Sequence, residues 1–306
     1  MTDGPPQIFD RPLLDRRRRR AMRASADGAD FLRRAVADDL LDRLAAVNRR
    51  FALAAEIGSP DGLVAARLVG SGQVDRLVRL DRLAETPPGP AHAVAGDEEA
   101  PPFAPASLDL AVSVLALHLV NDLPGALLQV RQALKPDGLF LAALLGGDTL
   151  HELRTAFTEA ELELAGGAGP RVAPFAEIRA LGALLQRAGF ALPVVDQDRL
   201  VIRYDDAFAL MRDLRAMGAA SVLVERPRTP LRRAVLLRMA EIYAARFSDP
   251  DGRIRATFDV VSLSGWAPDP GQQKPLRPGS AAMRLADALG AREEPLPGEP
   301  EKDGQP

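Results

Sequence analysis

The stretch Glu56-Ile57-Gly58-Ser59-Pro60-Asp61-Gly62 puts an acidic residue at the end of an apolar run and two glycines in the turn that follows. A loop that cradles a nucleotide needs glycines because its backbone must approach the ligand closely, and it feeds a helix whose first amides are free to donate. A generic glycine turn reads the same way from these residues alone. Asp81 ends the next apolar run, "VDRLVRL", where a carboxylate can accept hydrogen bonds from both hydroxyls of a ribose. Asp97 ends a shorter run and opens the loop "GDEEAPPF", which equally fits a solvated acidic turn. His118 stands at the carboxyl end of the run "LDLAVSVLAL", where open α/β sheets place their sites, as a candidate general base or as a partly buried structural histidine. His151, with Glu152 and Arg154 on the segment that follows, faces a substrate or caps a turn.

These residues need a scaffold, and the hydrophobic pattern supplies one. Strand-like runs at 50–57, 74–80, 91–95, 108–117 and 139–145 are short, apolar and mostly uncharged inside, as expected of parallel strands buried on both faces. Helical patterns fill the gaps at 63–69 and after Asn121 or Asp122, the latter stopping before Pro136 and Gly138. Alternating strands and helices predict βαβ units and an open parallel sheet. The connection "RLAETPPGP" after Asp81 is too short for a normal crossover helix, which predicts an irregular link there. An amphipathic helix over 30–50 precedes the first strand. Past the fifth strand, the pattern predicts a helix capped by Asp148 or Thr149 and running to about 164. A second helix follows over 175–187, then a pair of strands at 192–195 and 200–204. Two more helices are expected over 207–217 and 230–247, with an antiparallel last strand near the sheet edge at 256–265.

Composition narrows the chemistry. The 306 residues are 47% hydrophobic, enough for one substantial core, and a formal charge of −3 gives no global pull toward nucleic acid. With no cysteine, disulfides, thiolate nucleophiles and cysteine-ligated metals are excluded, and the three histidines, His92, His118 and His151, lie far apart. No metal is expected. The run Arg16 to Arg20 is flanked by acids and lacks interleaved aromatics, so it reads as a solvated basic arm or a partner-docking segment rather than a nucleic-acid contact. The first 20 residues have no apolar h-region, Asp3, Asp10 and Asp15 argue against an acid-poor transit peptide, and no window is apolar enough to span a bilayer, so no signal peptide is expected. The expectation is a cytoplasmic protein of bacterial type, for which peripheral membrane contact stays open.

The order of the 56–62 loop, Asp81, Asp97, "HLVNDLPGALLQVRQALKPDG", "GGDTLHELR" and "RAGF" resembles class I S-adenosylmethionine-dependent methyltransferases of the type-11 group. "HLVNDLPGAL" and "GGDTLHELR" narrow this to the family of mitochondrial complex I assembly factor 5, an arginine hydroxylase of methyltransferase fold, and its relative, malonyl-acyl-carrier-protein O-methyltransferase. "IFDRPLL", "LMRDLRAMGAAS" and "DGRIRATFDVVSLSGWAPD" favour the first over residues 8 to about 290.

The resemblance implies a Rossmann-like α/β sheet with helices on both faces and extra C-terminal helices. With the basic run read as an arm (1–29) and the charged, proline-rich end as a disordered tail (291–306), it leaves a methyltransferase-like domain at 30–290. Within that domain it expects a core at 50–205, then a helical insertion and final strand at 206–290. It further implies S-adenosylmethionine with Glu56, Gly58 and Gly62 at its methionine end, Asp81 on the ribose and Asp97 at the adenine edge. The partner is a protein substrate, a complex I subunit in the leading case, with His118 and the 148–154 segment nearest to it. Pro60 stands where the family pattern has its middle glycine, removing an amide donor and fixing φ, so the pocket reads as eroded rather than absent. Three functions stay in play: a methyltransferase or hydroxylase acting on protein arginine, the malonyl-carrier methyltransferase, and a non-catalytic assembly chaperone.

Overall fold

A computed structural model of the chain describes residues 7–24, 26–58, 61–83, 91–272, 283 and 290. The chain divides into two compact units, Met1–Asp269 and Pro270–Pro306, and every described helix and strand lies in the first. Ser59 and Pro60, the proline-rich link at 84–90 and the tail from 291 lie outside the described residues.

Seven strands, β1 (Phe51–Ile57), β2 (Val74–Asp81), β3 (His92–Ala95), β4 (Leu108–Val114), β5 (Leu134–Leu145), β6 (Ala191–Tyr204) and β7 (Ile254–Trp266), form one sheet in the order β3-β2-β1-β4-β5-β7-β6. The first five run parallel, while β7 enters antiparallel between β5 and β6, with Leu139 opposite Trp266 and Leu145 opposite Val260. The strand order reverses between β1 and β4, so the carboxyl ends of those two strands frame the crevice where open sheets bind ligands.

Helices cover both faces. On one, α2 (Phe31–Ala45) presents Leu32, Val36, Leu40 and Leu44 at four-residue spacing. Beside it lie α3 (Leu63–Gly70), α5 (His151–Ala165), α7 (Ala207–Ala216) and α8 (Arg233–Phe247), packed with Phe51, Leu110 and Phe258. On the other face, α4 (Leu123–Ala133) and α6 (Ile178–Arg187) pack Leu127, Val130, Leu181 and Leu185 against Ile57, Leu80 and Phe140. Asp122 caps α4 by accepting the Gly125 N–H at 2.8 Å, as the sequence predicts. Among the described residues no helix is long and apolar enough to cross a membrane.

Four expectations are corrected. The strands expected at 192–195 and 200–204 are one continuous strand. Its charged middle, Asp196 to Arg199, looks like a turn, but β6 is an edge strand whose charges have outside partners: Arg43 of α2 pairs with Asp196 and Asp198, and Arg199 with Asp259. The run expected as strand to 117 ends at Val114, because Leu115 turns to φ 52° and a 3-10 turn follows over Leu117–Leu119. Neither Asp148 nor Thr149 caps α5. Leu150, at φ 53°, occupies the cap position, and the other two residues bond to β7 instead.

The solvated basic arm is the fourth. Residues Arg11–Ala24 form a helix, α1, anchored by Phe9 and Leu14 against Val222 and Leu223, with Arg11 itself buried. Within the arginine run, Arg18 reaches Glu98 and Arg17 donates to the Ser221 carbonyl, while Arg16 and Arg20 stay exposed.

Candidate functional site

The glycine turn is built by contact. Gly58 has φ 78°, its N–H donates to the Leu80 carbonyl at 2.8 Å, and a Cβ placed on it would fall on the Cβ of Ala116 and 3.6 Å from Glu98 Oε1. The loops after β1, β3 and β4 therefore converge on one atom-sized gap that only glycine fills. Gly62 has φ 72° and caps α3, and a Cβ there would lie 2.7 Å from the Arg79 guanidinium. Arg79 is buried with Glu56, its Nε 4.0 Å from Glu56 Oε2, so a cation from β2 already lies beside the carboxylate that ends β1.

Asp81 closes β2 and is 2% exposed. Its Oδ1 accepts the Leu83 N–H at 2.7 Å, while Oδ2 is buried with no hydrogen-bond partner among the described residues. Burial pushes its pKa above the usual carboxylate value, against the pull of the Leu83 N–H and of Arg18.

Asp97 and its neighbours meet α1. Arg11 Nη2 donates to Asp97 Oδ1 at 3.0 Å and to Glu98, while its Nη1 donates to the Leu119 carbonyl at 2.9 Å. Arg18 Nη1 lies 3.6 Å from Glu98 Oε1. Arg82 bonds Asp15 at 3.0 Å and also the second oxygen of Asp97. Asp97, expected at an adenine edge, thus has both carboxylate oxygens held by arginines, and the fully buried acid of the loop is Glu98. Sequence reasoning missed Glu98, although the "GDEE" run and the arginine run of α1 are complementary in charge.

His118 rides the 3-10 turn after β4, its ring 5.9 Å from that of Phe175. Its Nδ1 is buried without a partner, and burial, with a smaller push from Arg18, lowers its pKa to about 3. It lines an apolar cavity of about 250 Å³. A base of that pKa takes up a proton poorly at neutral pH, so the imidazole offers the cavity a neutral hydrogen-bonding group. The depressed pKa also has a stability consequence. The folded state resists protonating His118 while the unfolded chain does not, so its contribution is complete above pH 6.5 and is lost as pH falls toward about 3. In His118→Phe, the fall in unfolding free energy across that window is expected to be shallower by about 1.4 kcal/mol per pH unit, read from urea melts at stepped pH. Asp81 stays unchanged in both proteins, so its opposite trend cancels. Equal slopes would show that His118 is not buried as described.

His151 lies elsewhere. Its side chain is 39% exposed, Nε2 is 3.3 Å from Glu152 Oε1, and its ring sits edge-on to Phe247. The "GGDTLHELR" segment around it fastens α5 to β7. Thr149 Oγ1 donates to the Asp259 carbonyl and accepts the Asp259 N–H, Leu150 N–H donates to the Thr257 carbonyl, and Glu152 accepts from Thr257. Glu56, Gly58, Asp81 and Asp97 gather around the crevice, Gly62 sits behind its wall at the head of α3, and His118 lies on the cavity next to it. His151 belongs to neither.

A parallel sheet with one antiparallel strand inserted beside its last edge, a glycine turn after β1 and a buried acid ending β2 define the class I methyltransferase fold. A family model described as a methyltransferase domain matches residues 55–142. Two solved structures share the fold: a methyltransferase-like protein of Bacillus halodurans C-125 (TM-score 0.53, 13% identity, 77% of this chain and 100% of that one) and YcgJ of Bacillus subtilis (TM-score 0.52, 16% identity, 75% and 98%). Among curated proteins, the chain is 38% identical to "Arginine-hydroxylase NDUFAF5, mitochondrial" of Danio rerio over 92% of its length and 89% of the relative's, and 36% identical to the Homo sapiens protein over 92% and 83%. It is also 34% identical to the malonyl-[acyl-carrier protein] O-methyltransferase of Halorhodospira halophila, over 87% and 91%. The chain belongs to the arginine-hydroxylase NDUFAF5 family, whose relatives with these names are enzymes.

Proposed function

We propose that this chain is an S-adenosylmethionine-dependent enzyme of methyltransferase fold that acts on a protein substrate during assembly of respiratory complex I. The observation that carries the cofactor half is Asp81: a carboxylate at the end of β2 with one oxygen on a backbone amide and the other buried and unpartnered. That is what a ribose hydroxyl needs as an acceptor, and leaving such an oxygen unmet costs free energy. Glu56 stands next to the end of the neighbouring strand, and the space beside Gly58 is filled by Ala116, so the glycine lets the loops close together there. The residues fit the ribose end of the cofactor. They fit its adenine end less well, since Arg11 and Arg82 hold Asp97. Bound there, the cofactor would supply an activated methyl group.

For the substrate half, the support is the kinship with proteins named arginine hydroxylases and an open cavity of about 570 Å³ beside the Gly147 turn. Glu177 lines that cavity, a carboxylate of the kind that pairs a guanidinium, together with Arg154 and Arg171, the latter already paired with Glu161. The proposal keeps the cytoplasmic placement read from the sequence, which cell fractionation tests, although the relatives named arginine hydroxylases also carry the word mitochondrial.

A second reading, the non-catalytic assembly chaperone, is favoured by one observation: α1 seats its own arginines on Asp97 and Glu98. Thermal unfolding with and without S-adenosylmethionine separates the two. At 100 times its dissociation constant a ligand stabilises by about 2.7 kcal/mol. The enzyme reading expects that shift, lost in Asp81→Ala. No shift with well-folded protein supports the chaperone, and a shift retained in Asp81→Ala overturns the assignment of Asp81. Given binding, assays on a complex I subunit peptide and on malonyl-carrier protein decide between the two acceptors.

A further inference from the structure

The cavity beside His118 has a chemistry of its own. Its walls are Leu14, Leu150, Leu153, Phe157, Met211 and Phe258, with other apolar neighbours, and no Asp or Glu is among its lining residues. At about 250 Å³ it exceeds the cavity of about 150 Å³ that stays dry and takes a benzene ring. Two buried polar atoms of its lining residues, His118 Nδ1 and Ser221 Oγ, have no partner among the described residues. A closed core avoids such atoms, whereas ligand pockets carry a few of them among apolar walls.

The charged lining points one way. Arg171 is neutralised by Glu161, its Nε 2.8 Å from Oε1. Arg215 also lines the cavity, is exposed, and has no anionic partner among the described residues. Arg17 comes to the same edge, donating to the carbonyl of Ser221. Burial lowers the pKa of Arg17, and the charges of Arg226, Arg20 and Arg215 lower it further, with Asp10 acting against them. Asp10 is itself bonded to Arg226. The rim is thus short of negative charge.

We propose that this cavity binds an amphiphilic anion, with its apolar body among Leu150, Leu153, Met211 and Phe258 and its carboxylate or phosphate head on Arg215 and Arg17. Arginine suits that head because its planar fork meets carboxylate and phosphate oxygens with paired hydrogen bonds. A cationic ligand would find no carboxylate on the lining, and the neutral imidazole of His118 is free to hydrogen-bond a polar group along the chain. The site does not depend on cofactor use, so it holds for either reading above.

The test is calorimetric titration of the full chain with decanoate, decyl phosphate, decylamine and inorganic phosphate, each below its micelle-forming concentration. The two decyl anions are expected to bind with a negative heat-capacity change, the sign of apolar burial. Decylamine is expected to bind at least tenfold more weakly, and inorganic phosphate not measurably. Comparing carboxylate with phosphate heads separates a fatty acid from a phospholipid-like source. Arg215→Ala should weaken anion binding about tenfold, and a tryptophan in the cavity, as Met211→Trp or Ala220→Trp, should abolish it. The second tryptophan variant and circular dichroism guard against a folding failure in the first. Equal binding of decylamine and decanoate, binding of inorganic phosphate alone, or no binding at all would each overturn the proposal.

Discussion

Glu98→Ala is expected to destabilise the protein by about 3–5 kcal/mol, the cost of stranding a buried charge cluster after one partner is removed. Glu98 is fully buried, and its carboxylate lies between Arg11, which is 7% exposed, and Arg18. Deleting it leaves Arg11 with the half-exposed Asp97 and Glu99, and leaves Arg18 facing Asp81 across a desolvated gap. The loss should be read by urea unfolding at pH 7. It should shrink sharply in the Arg11→Met background, because removing both partners of a buried pair costs far less than removing one. Equal losses in both backgrounds would mean that the pair carries no coupling. Detachment of α1 alone is a distinct outcome. It would open the arginine run to trypsin at concentrations that leave the sheet intact, with little change in the global transition.

That cluster marks where the sequence stops being legible. The parallel strands could be read because each is a short apolar run bounded by turns, and the alternation of strand and helix leaves few topologies. Glu56, Gly58 and Asp81 could be placed because strand-end positions follow directly from the strand pattern. Glu98 could not, because "DEE" in a loop looks solvated until a helix 80 residues earlier in the chain arrives to neutralise it, and long-range ion pairing leaves no local period. β6 reads as two strands in the sequence for a related reason: Asp196 to Arg199 are charged yet stay in register, because an edge strand has one side free for Arg43 to reach. The role of "GGDTLHELR" was legible only as kinship. Its bonds go to Thr257 and Asp259, more than 100 residues on, and nothing in its spacing announces them.

Gly58→Val is expected to cost about 2–5 kcal/mol and to abolish any adenosylmethionine-dependent shift in unfolding temperature. Two terms add. A side chain at φ 78° is strained by about 1–2 kcal/mol, and forcing extra carbon into a packed site costs about 1–3 kcal/mol more. Gly72 separates them, since it has φ 72° with nothing within 4 Å of an added Cβ, so Gly72→Ala shows the backbone term alone. At Gly58 the steric obstacle is a single atom, the Cβ of Ala116. Gly58→Ala should therefore be much more destabilising than Gly72→Ala in chemical denaturation. Adding Ala116→Gly should bring it back to nearly the Gly72→Ala value, less the small flexibility cost of a second glycine. Were Ala116→Gly to give no rescue, the gap at Gly58 would be closed by something other than Ala116. With rescue, the rescued protein becomes the useful one: it restores the packing while keeping a side chain in the cradle, so cofactor binding tested in it reports on whether the glycine serves the ligand or only the fold.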